Sequence, residues 1–521
     1  FNKVGIQTHM LERGLNALRM NPVPEDVRNL MYKVKAKQGT NIARSFCGLN
    51  DHRNLKGSVI GAKKGGMISQ VALSITYSPV HTVEYYMDIV DKVVEYGCDE
   101  ICLKDMAGIG RPAFLGRLTS EIKKKYPHIV VQYHGHSGPG FSVASMLEVA
   151  RAGADYIDVA MEPLSWGKIH PDVITIQAMM KDAGFLVKDI NMDAYMEARR
   201  LTQTFIDDYL GYFIEPTNYQ CSSLLVGCGL PGGMMGSMMA DLKGFHGAIN
   251  MSLRNQGKKE VTLNELAVML FQEVEYVWPR LGYPPLVTPF SQYVKNTALM
   301  NLMHTLKGEP RWKTIDKDTM NMILGKTGTL PGQLAPEIVE IVKEKGLEFY
   351  TGNPQDAFPN ELPRFIEEMK KEGWDRGKDD EELFEFAMHE RQYRDYKSGV
   401  AKERFEKELE AAKEKAGAPK IITRPVVEVP AFDAAKVMEL HPNAMPVQAV
   451  AKGKLIWQYN VTDDSTALAI GTPVEEGKPM CYIQTYYGVE PVMAPKTGKV
   501  IQIEAAHNAD VVINQVLAFV E

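Results

Sequence analysis

The stretch VVQYHGHSGPG, residues 130–140, decides how this sequence is read. A β-branched run ends in two histidines one residue apart and is followed at once by a Gly-Pro turn. In an extended strand, residues i and i+2 share a face, so His134 and His136 stand side by side at the strand's C-terminal end. Two readings of the pair are open at this point: a metal site, or two histidines satisfied by backbone groups.

Short apolar, β-branched runs recur on either side: GIQTHML (5–11), NIARSF (41–46), MISQVALSIT (67–76), EICLK (100–104), IVVQYHGH (129–136) and DYIDVAM (155–161). Amphipathic segments such as SPVHTVEYYMDIVDKVVEYG and FSVASMLEVARAG separate them. Strands alternating with helices predict an α/β fold with a parallel sheet. Functional-looking residues collect at the C-terminal ends of the strands, the arrangement of a (β/α)8 TIM barrel. The rival doubly wound sheet lacks its glycine fingerprint after the first strands. Six strands are two short of eight, and an interior-type strand follows almost directly on Phe1. Two further N-terminal βα units, about 60 residues at ~30 per unit, are expected to be missing.

Composition narrows the function classes. The 521 residues are 45% hydrophobic and 24% charged, ordinary for a globular chain. A net charge of −6 without a basic stripe gives no reason to expect nucleic acid. The six cysteines are scattered, and Cys98 and Cys102 have no second close pair, which points to reduced thiols in a cytoplasmic protein and away from cysteine-ligated zinc. SSLLVGCGLPGGMMGSMMA (222–240) is uncharged, but five glycines and Pro231 make it a glycine-rich turn opening a helix rather than a membrane span.

The expected organisation is a barrel core over 1–185 and a helical extension over 186–416, whose last part, 379–416, is a solvated, charge-dense helical face. A proline-rich linker follows over 417–445. The last segment, 446–521, is all-β and carries two similar half-motifs, which predicts a pseudo-symmetric β-sandwich.

ICLKDMAG places Lys104 at the end of the strand before the two histidines. A lysine that reacts with CO2 becomes a carbamate, an anionic oxygen ligand, and with two imidazoles it suits zinc or a related divalent metal. A strand-end salt bridge is the alternative for Lys104.

KDMAG and YHGHSGPG, followed by GADYIDVAMEPLSWG, LPGGMMGS and GYPPLVTPFSQ, resemble the carboxyltransferase subunit of biotin-dependent pyruvate carboxylase and oxaloacetate decarboxylase. The likeness runs from about residue 5 to 400, and the tail from about 446 is similar to that family's biotinyl domain. The resemblance implies a divalent metal on a carbamylated Lys104, His134, His136 and an aspartate from a first barrel strand that this sequence lacks. Zinc is the first choice of ion, with manganese, cobalt or magnesium behind it. The resemblance also implies that Arg13 binds the carboxylate of a 2-oxo acid, pyruvate or oxaloacetate, with carboxybiotin as CO2 carrier. A biotin carboxylase subunit or other carboxylase subunit is the implied partner, with homo-oligomers expected.

Three positions depart from the family pattern. Lys168 stands where the family has its proton-relaying threonine, Met20 where it has a tyrosine, and Tyr487 where it has the biotin-bearing lysine. A phenol cannot form the amide to biotin, so no attachment site is expected on this chain. Two other functions compete with carboxyl transfer: a catalytically impaired paralogue kept as a structural subunit, and an acyl-CoA aldolase or lyase of the same barrel superfamily.

Overall fold

The computed structural model describes residues 4–521 except 215, 224, 229–231, 417–436, 438, 440, 459–467 and 486–487. Two compact units divide the chain, residues 1–416 and 417–521.

The first unit is built on six parallel strands in sequential order: β1 (His9–Glu12), β2 (Ile42–Phe46), β3 (Ile68–Ser74), β4 (Glu100–Asp105), β5 (Val130–Gly135) and β6 (Tyr156–Ile157). Among the described residues β1 and β6 each have one strand neighbour. Helices α1 (Glu25–Lys37), α2 (Arg53–Lys64), α3 (Val83–Glu95), α4 (Pro112–Lys125), α5 (Ser142–Arg151) and α6 (Val173–Asp182) alternate with them.

Local sequence sets these boundaries. Thr82 caps α3 by accepting the Tyr85 N–H at 3.2 Å, and Tyr86, Ile89, Val90 and Val93 form its buried stripe. Pro112 opens α4, and Lys123, Lys124 and Lys125 close it, where the helix dipole favours cations. The run predicted over 155–161 yields only two strand residues, because from Ala160 the chain bridges to Asp172 instead.

Alternate strand residues serve two different environments. Val71, Leu73, Ile101, Leu103, Val131 and Tyr133 point toward the helices and pack with Ile89, Val90 and Val93 of α3 and Leu115, Leu118 and Ile122 of α4. Each such side chain contributes about 1.5–3 kcal/mol when fully buried. The opposite face carries polar groups and the chemistry. It also holds a small apolar cluster of Phe46, Ala72 and Cys102, completed by Val287 from the connection between helices Leu263–Arg280 and Phe290–Leu306. The Phe290 ring lies so close to Gly48 that a Cβ there would come within 2.5 Å of it. Helices continue to Ala416, and among the described residues none is long and apolar enough to cross a membrane.

The second unit has two four-stranded sheets, as its repeated half-motifs suggest. Strands β7 (Met445–Gln448), β8 (Gly453–Ile456), β9 (Pro473–Val474), β10 (Pro479–Thr485), β11 (Gly488–Met493), β12 (Gly498–Ile503), β13 (Asp510–Val511) and β14 (Val516–Val520) pair as β11-β10-β8-β13 and β7-β14-β12-β9. Leu455, Trp457, Met480, Ile483, Val500 and Leu517 form its core. β10 and β11 make a hairpin closing at Thr485 and Gly488. Tyr487, expected in place of the biotin-bearing lysine, lies outside the described residues.

Candidate metal centre

Strand register builds the site. Lys104 is the ladder partner of His134 across β4 and β5, so both project from the face opposite the helices. His136 follows two residues on. A third histidine, His170, joins them from the loop before α6; ligand atoms of His134, His136 and His170 lie within 4.8 Å of one another. Sequence reasoning missed His170. It lies in SWGKIHP with no periodic pattern around it, 34 residues past His136, and only the fold brings it in.

Hydrogen bonds leave a ring nitrogen available on each flanking histidine. His170 donates from Nδ1 to the Gly135 carbonyl at 2.8 Å, which leaves Nε2 with a lone pair. Nδ1 of His134 lies 2.6 Å from Oδ2 of Asp158. Burial pushes His134 down to about 4 and His136 down to about 2, and it lowers His170 as well, so all three are neutral near pH 7. Burial also raises Asp158, but hydrogen bonds from His134 and Arg44 outweigh it and hold the carboxyl well below the usual range.

Lys104 is 2% exposed and makes no ion pair among the described residues, so the salt-bridge alternative is not what the structure contains. Its Nζ lies 4.4 Å from the centre of the Phe46 ring and 3.4 Å from Met106 Sδ. Burial pulls its pKa down to about 8. Arg13 directly follows β1, and its charge is among those that lower Lys104. It donates from Nη1 to the Leu18 carbonyl at 3.1 Å, while its buried Nε has no partner.

Lys168 lies two residues before His170, and its Nζ is 3.4 Å from Asn218 Oδ1. The neighbouring Ile169 carbonyl accepts from the Ser137 N–H at 2.6 Å, which ties this loop to the turn after His136. Met20 is 42% exposed, and its carbonyl accepts from Asn16 Nδ2 at 2.6 Å.

The Gly-Pro turn after the histidines also has a physical reason. Gly138 (φ +47) and Gly108 (φ +68) sit where two loops touch backbone to backbone. A Cβ on Gly138 would come within 2.2 Å of the Ala107 carbonyl, and one on Gly108 within 2.3 Å of the His136 carbonyl.

The donor set fits a divalent ion. Three neutral imidazoles converge beside a buried amine that has no carboxylate partner among the described residues, and nitrogen donors of this kind suit zinc and its neighbours in the first row.

Comparison with known proteins places this geometry. An HMGL-like family matches residues 52–201, and a conserved carboxylase domain matches residues 228–431. A pyruvate carboxylase subunit of Methanocaldococcus jannaschii is 31% identical over 388 residues, 73% of this chain and 63% of the relative. This chain is a homologue of those pyruvate carboxylase subunits. Within the family's wider circle, the 5S subunit of methylmalonyl-CoA carboxyltransferase from Propionibacterium freudenreichii is 29% identical over 68% of this chain and 65% of its own. The large subunit of 2-oxoglutarate carboxylase from Hydrogenobacter thermophilus is 29% identical over 76% of this chain and 57% of its own. The chain thus spans about three-fifths of the length of these relatives. The carboxyl transferase domain of Rhizobium etli pyruvate carboxylase, solved with pyruvate, shares the fold with a TM-score of 0.63 at 20% identity, over 77% of this chain and 64% of that one. The HMGL-like region carries Lys104, the three histidines and Asp158, and the carboxylase region carries Val287 and Phe290.

Proposed function

We propose that this chain transfers a carboxyl group to or from a 2-oxo acid, pyruvate or oxaloacetate, with carboxybiotin as the CO2 carrier. The observation that carries this reading is the convergence of three neutral imidazoles beside Lys104, a buried amine, near Arg13; among the described residues Lys104 has no counter-ion and the buried Arg13 Nε has no partner. The relatives' names point the same way. His134, His136 and His170, with a carbamylated Lys104, would hold a zinc-like ion, and that ion would supply a Lewis acid for the 2-oxo group.

The chain's own residues do the rest. Arg13 is suited to hold the substrate carboxylate through its free Nε and its planar guanidinium. Phe46, Cys102 and Val287 keep bulk water away from Lys104. In decarboxylation the C3–C4 bond of oxaloacetate breaks, CO2 leaves, and C3 takes a proton; carboxylation is the reverse. Lys168, in place of the family's threonine, is proposed to move the proton between C3 and the carrier. Because Tyr487 cannot bear biotin, the carrier is assigned to a partner chain working with a biotin carboxylase subunit, in a cytoplasmic homo-oligomeric assembly. The unit over 446–521 is read as a biotinyl-like domain without its cofactor.

The test is oxaloacetate decarboxylation by the purified full chain with free biotin added, together with metal analysis. Pyruvate release that depends on a bound divalent ion and on His136 supports the reading. A folded chain that binds no divalent ion and turns over no 2-oxo acid overturns it.

A further inference from the structure

Beneath the three histidines, four side chains form a closed hydrogen-bonded circuit, Arg44, Gln70, Gln132 and Asp158, with Glu100 attached to Gln70. Arg44 of β2 donates from Nε to Gln70 of β3. Gln70 Nε2 donates to Gln132 Oε1 of β5 at 2.8 Å and to Glu100 Oε2 of β4 at 2.6 Å. Gln132 donates to Oδ1 of Asp158, just beyond β6. Arg44 Nη1 closes the circuit on Oδ2 of Asp158 at 2.7 Å. Arg44 is 6% exposed, Gln70 fully buried and Gln132 8% exposed, while the Asp158 side chain keeps 19% of its exposure.

Its output is a single contact. His134 Nδ1 sees two groups, Asp158 Oδ2 at 2.6 Å and Arg44 Nη1 at 3.1 Å. A guanidinium nitrogen only donates and a carboxylate oxygen only accepts, so the two neighbours demand opposite tautomers. The shorter contact decides. With Nδ1 bare, it and Oδ2 would be two acceptors at 2.6 Å with no proton between them; with Nδ1 protonated, His134 and Arg44 both donate to the same oxygen.

We propose that Asp158, clamped by Arg44 and Gln132, is the positioning residue of the centre: it holds His134 as the Nδ1–H tautomer and so turns the Nε2 lone pair toward His136 and His170. This rests on the metal reading of the three histidines given above. An outer carboxylate on a ligand histidine typically changes metal affinity about 10–100-fold. The Asp158 carboxylate is doubly fixed, so its orientation is set by β2, β3, β5 and β6 together rather than by its own rotamer.

The experiment uses the full chain labelled with 15N-histidine, read by imidazole 15N chemical shifts and by Co2+ titration followed through visible absorption. For the unsubstituted protein, His134 is expected with a protonated Nδ1 and a bare Nε2. In Asp158→Asn the amide can donate to Nδ1, so the pattern is expected to invert, Co2+ binding to weaken about 10–100-fold and the absorption band to change. Gln132→Met frees Oδ1 of Asp158 without touching His134; it should weaken binding less while keeping the tautomer, and it serves if Asp158→Asn does not fold. An Nε2–H tautomer in the unsubstituted protein, or Co2+ affinity unchanged in both variants, overturns the proposal. A protein that shows the expected tautomer but binds no Co2+ overturns the metal reading and leaves the tautomer assignment standing.

Discussion

Lys104 and His134 are register partners across β4 and β5, so the buried amine and the first imidazole are held at one level on one face of the sheet. Carbamate formation needs the neutral amine. With its pKa at about 8 instead of the usual 10.5, Lys104 reaches that form roughly two pH units earlier than an exposed lysine. A 13C-bicarbonate resonance that labels Lys104 should therefore grow between pH 7 and 9, and it should vanish in Lys104→Met.

The same shift has a stability consequence. Because the folded pKa lies below the unfolded one, the unfolded chain binds the extra proton more tightly between about 8 and 10.5, and stability rises with pH across that window. Below it the cost of the buried ammonium is fully present. Urea midpoints of the unsubstituted chain should rise relative to Lys104→Met from pH 8 to 10; parallel curves would refute this.

On the proposed metal reading, His170→Ala removes a ligand and not an outer partner. Its effect on zinc affinity should exceed the roughly 10–100-fold typical of outer-shell changes, measured by competition with a chromophoric chelator. His128, which stands outside the cluster, should tolerate the same substitution without loss of affinity.

Gly138→Ala should destabilise the first unit by at least about 1–3 kcal/mol, the cost of a non-glycine residue in a strained backbone region, with the 2.2 Å approach to the Ala107 carbonyl added to it. Gly66→Ala also replaces a glycine with positive φ but meets nothing within 4 Å; it should cost less, as thermal melts of the two variants would show.

Thiol labelling gives a check on packing. Cys221 is exposed, whereas burial pushes Cys47 up to about 11 and Cys98, Cys102 and Cys481 up to about 12. At pH 8 iodoacetamide should reach Cys221 well before these four, as peptide mass analysis would report.

The parts of this architecture that repeat with a short period were legible in the sequence. The β-branched runs gave six strands, and the i, i+2 spacing put His134 and His136 on one face. Lys104 was visible because it ends the adjacent run. His170 and Asp158 were not, since one lies in an aperiodic loop and the other in a run whose strand stops at Ile157. Arg44, Gln70 and Gln132 sit inside runs that read as strand interior, and nothing local distinguishes a polar residue in a hydrogen-bonded circuit from one facing water. Their roles exist only across strands.

Val287, which seats on the sheet face opposite the helices, and Phe290, which packs against the turn after β2, carry a consequence for how this chain can be inherited. They come from more than a hundred residues beyond the last strand, Tyr156–Ile157, yet Val287 completes the cluster with Phe46, Ala72 and Cys102, and Phe290 fills the space above Gly48. A recombination break near residue 185 would strip the lid from Lys104 and leave those side chains wet. The strand region and the helices that follow it are therefore inherited as one piece, and gene architectures that split them near residue 185 are ones selection should disfavour.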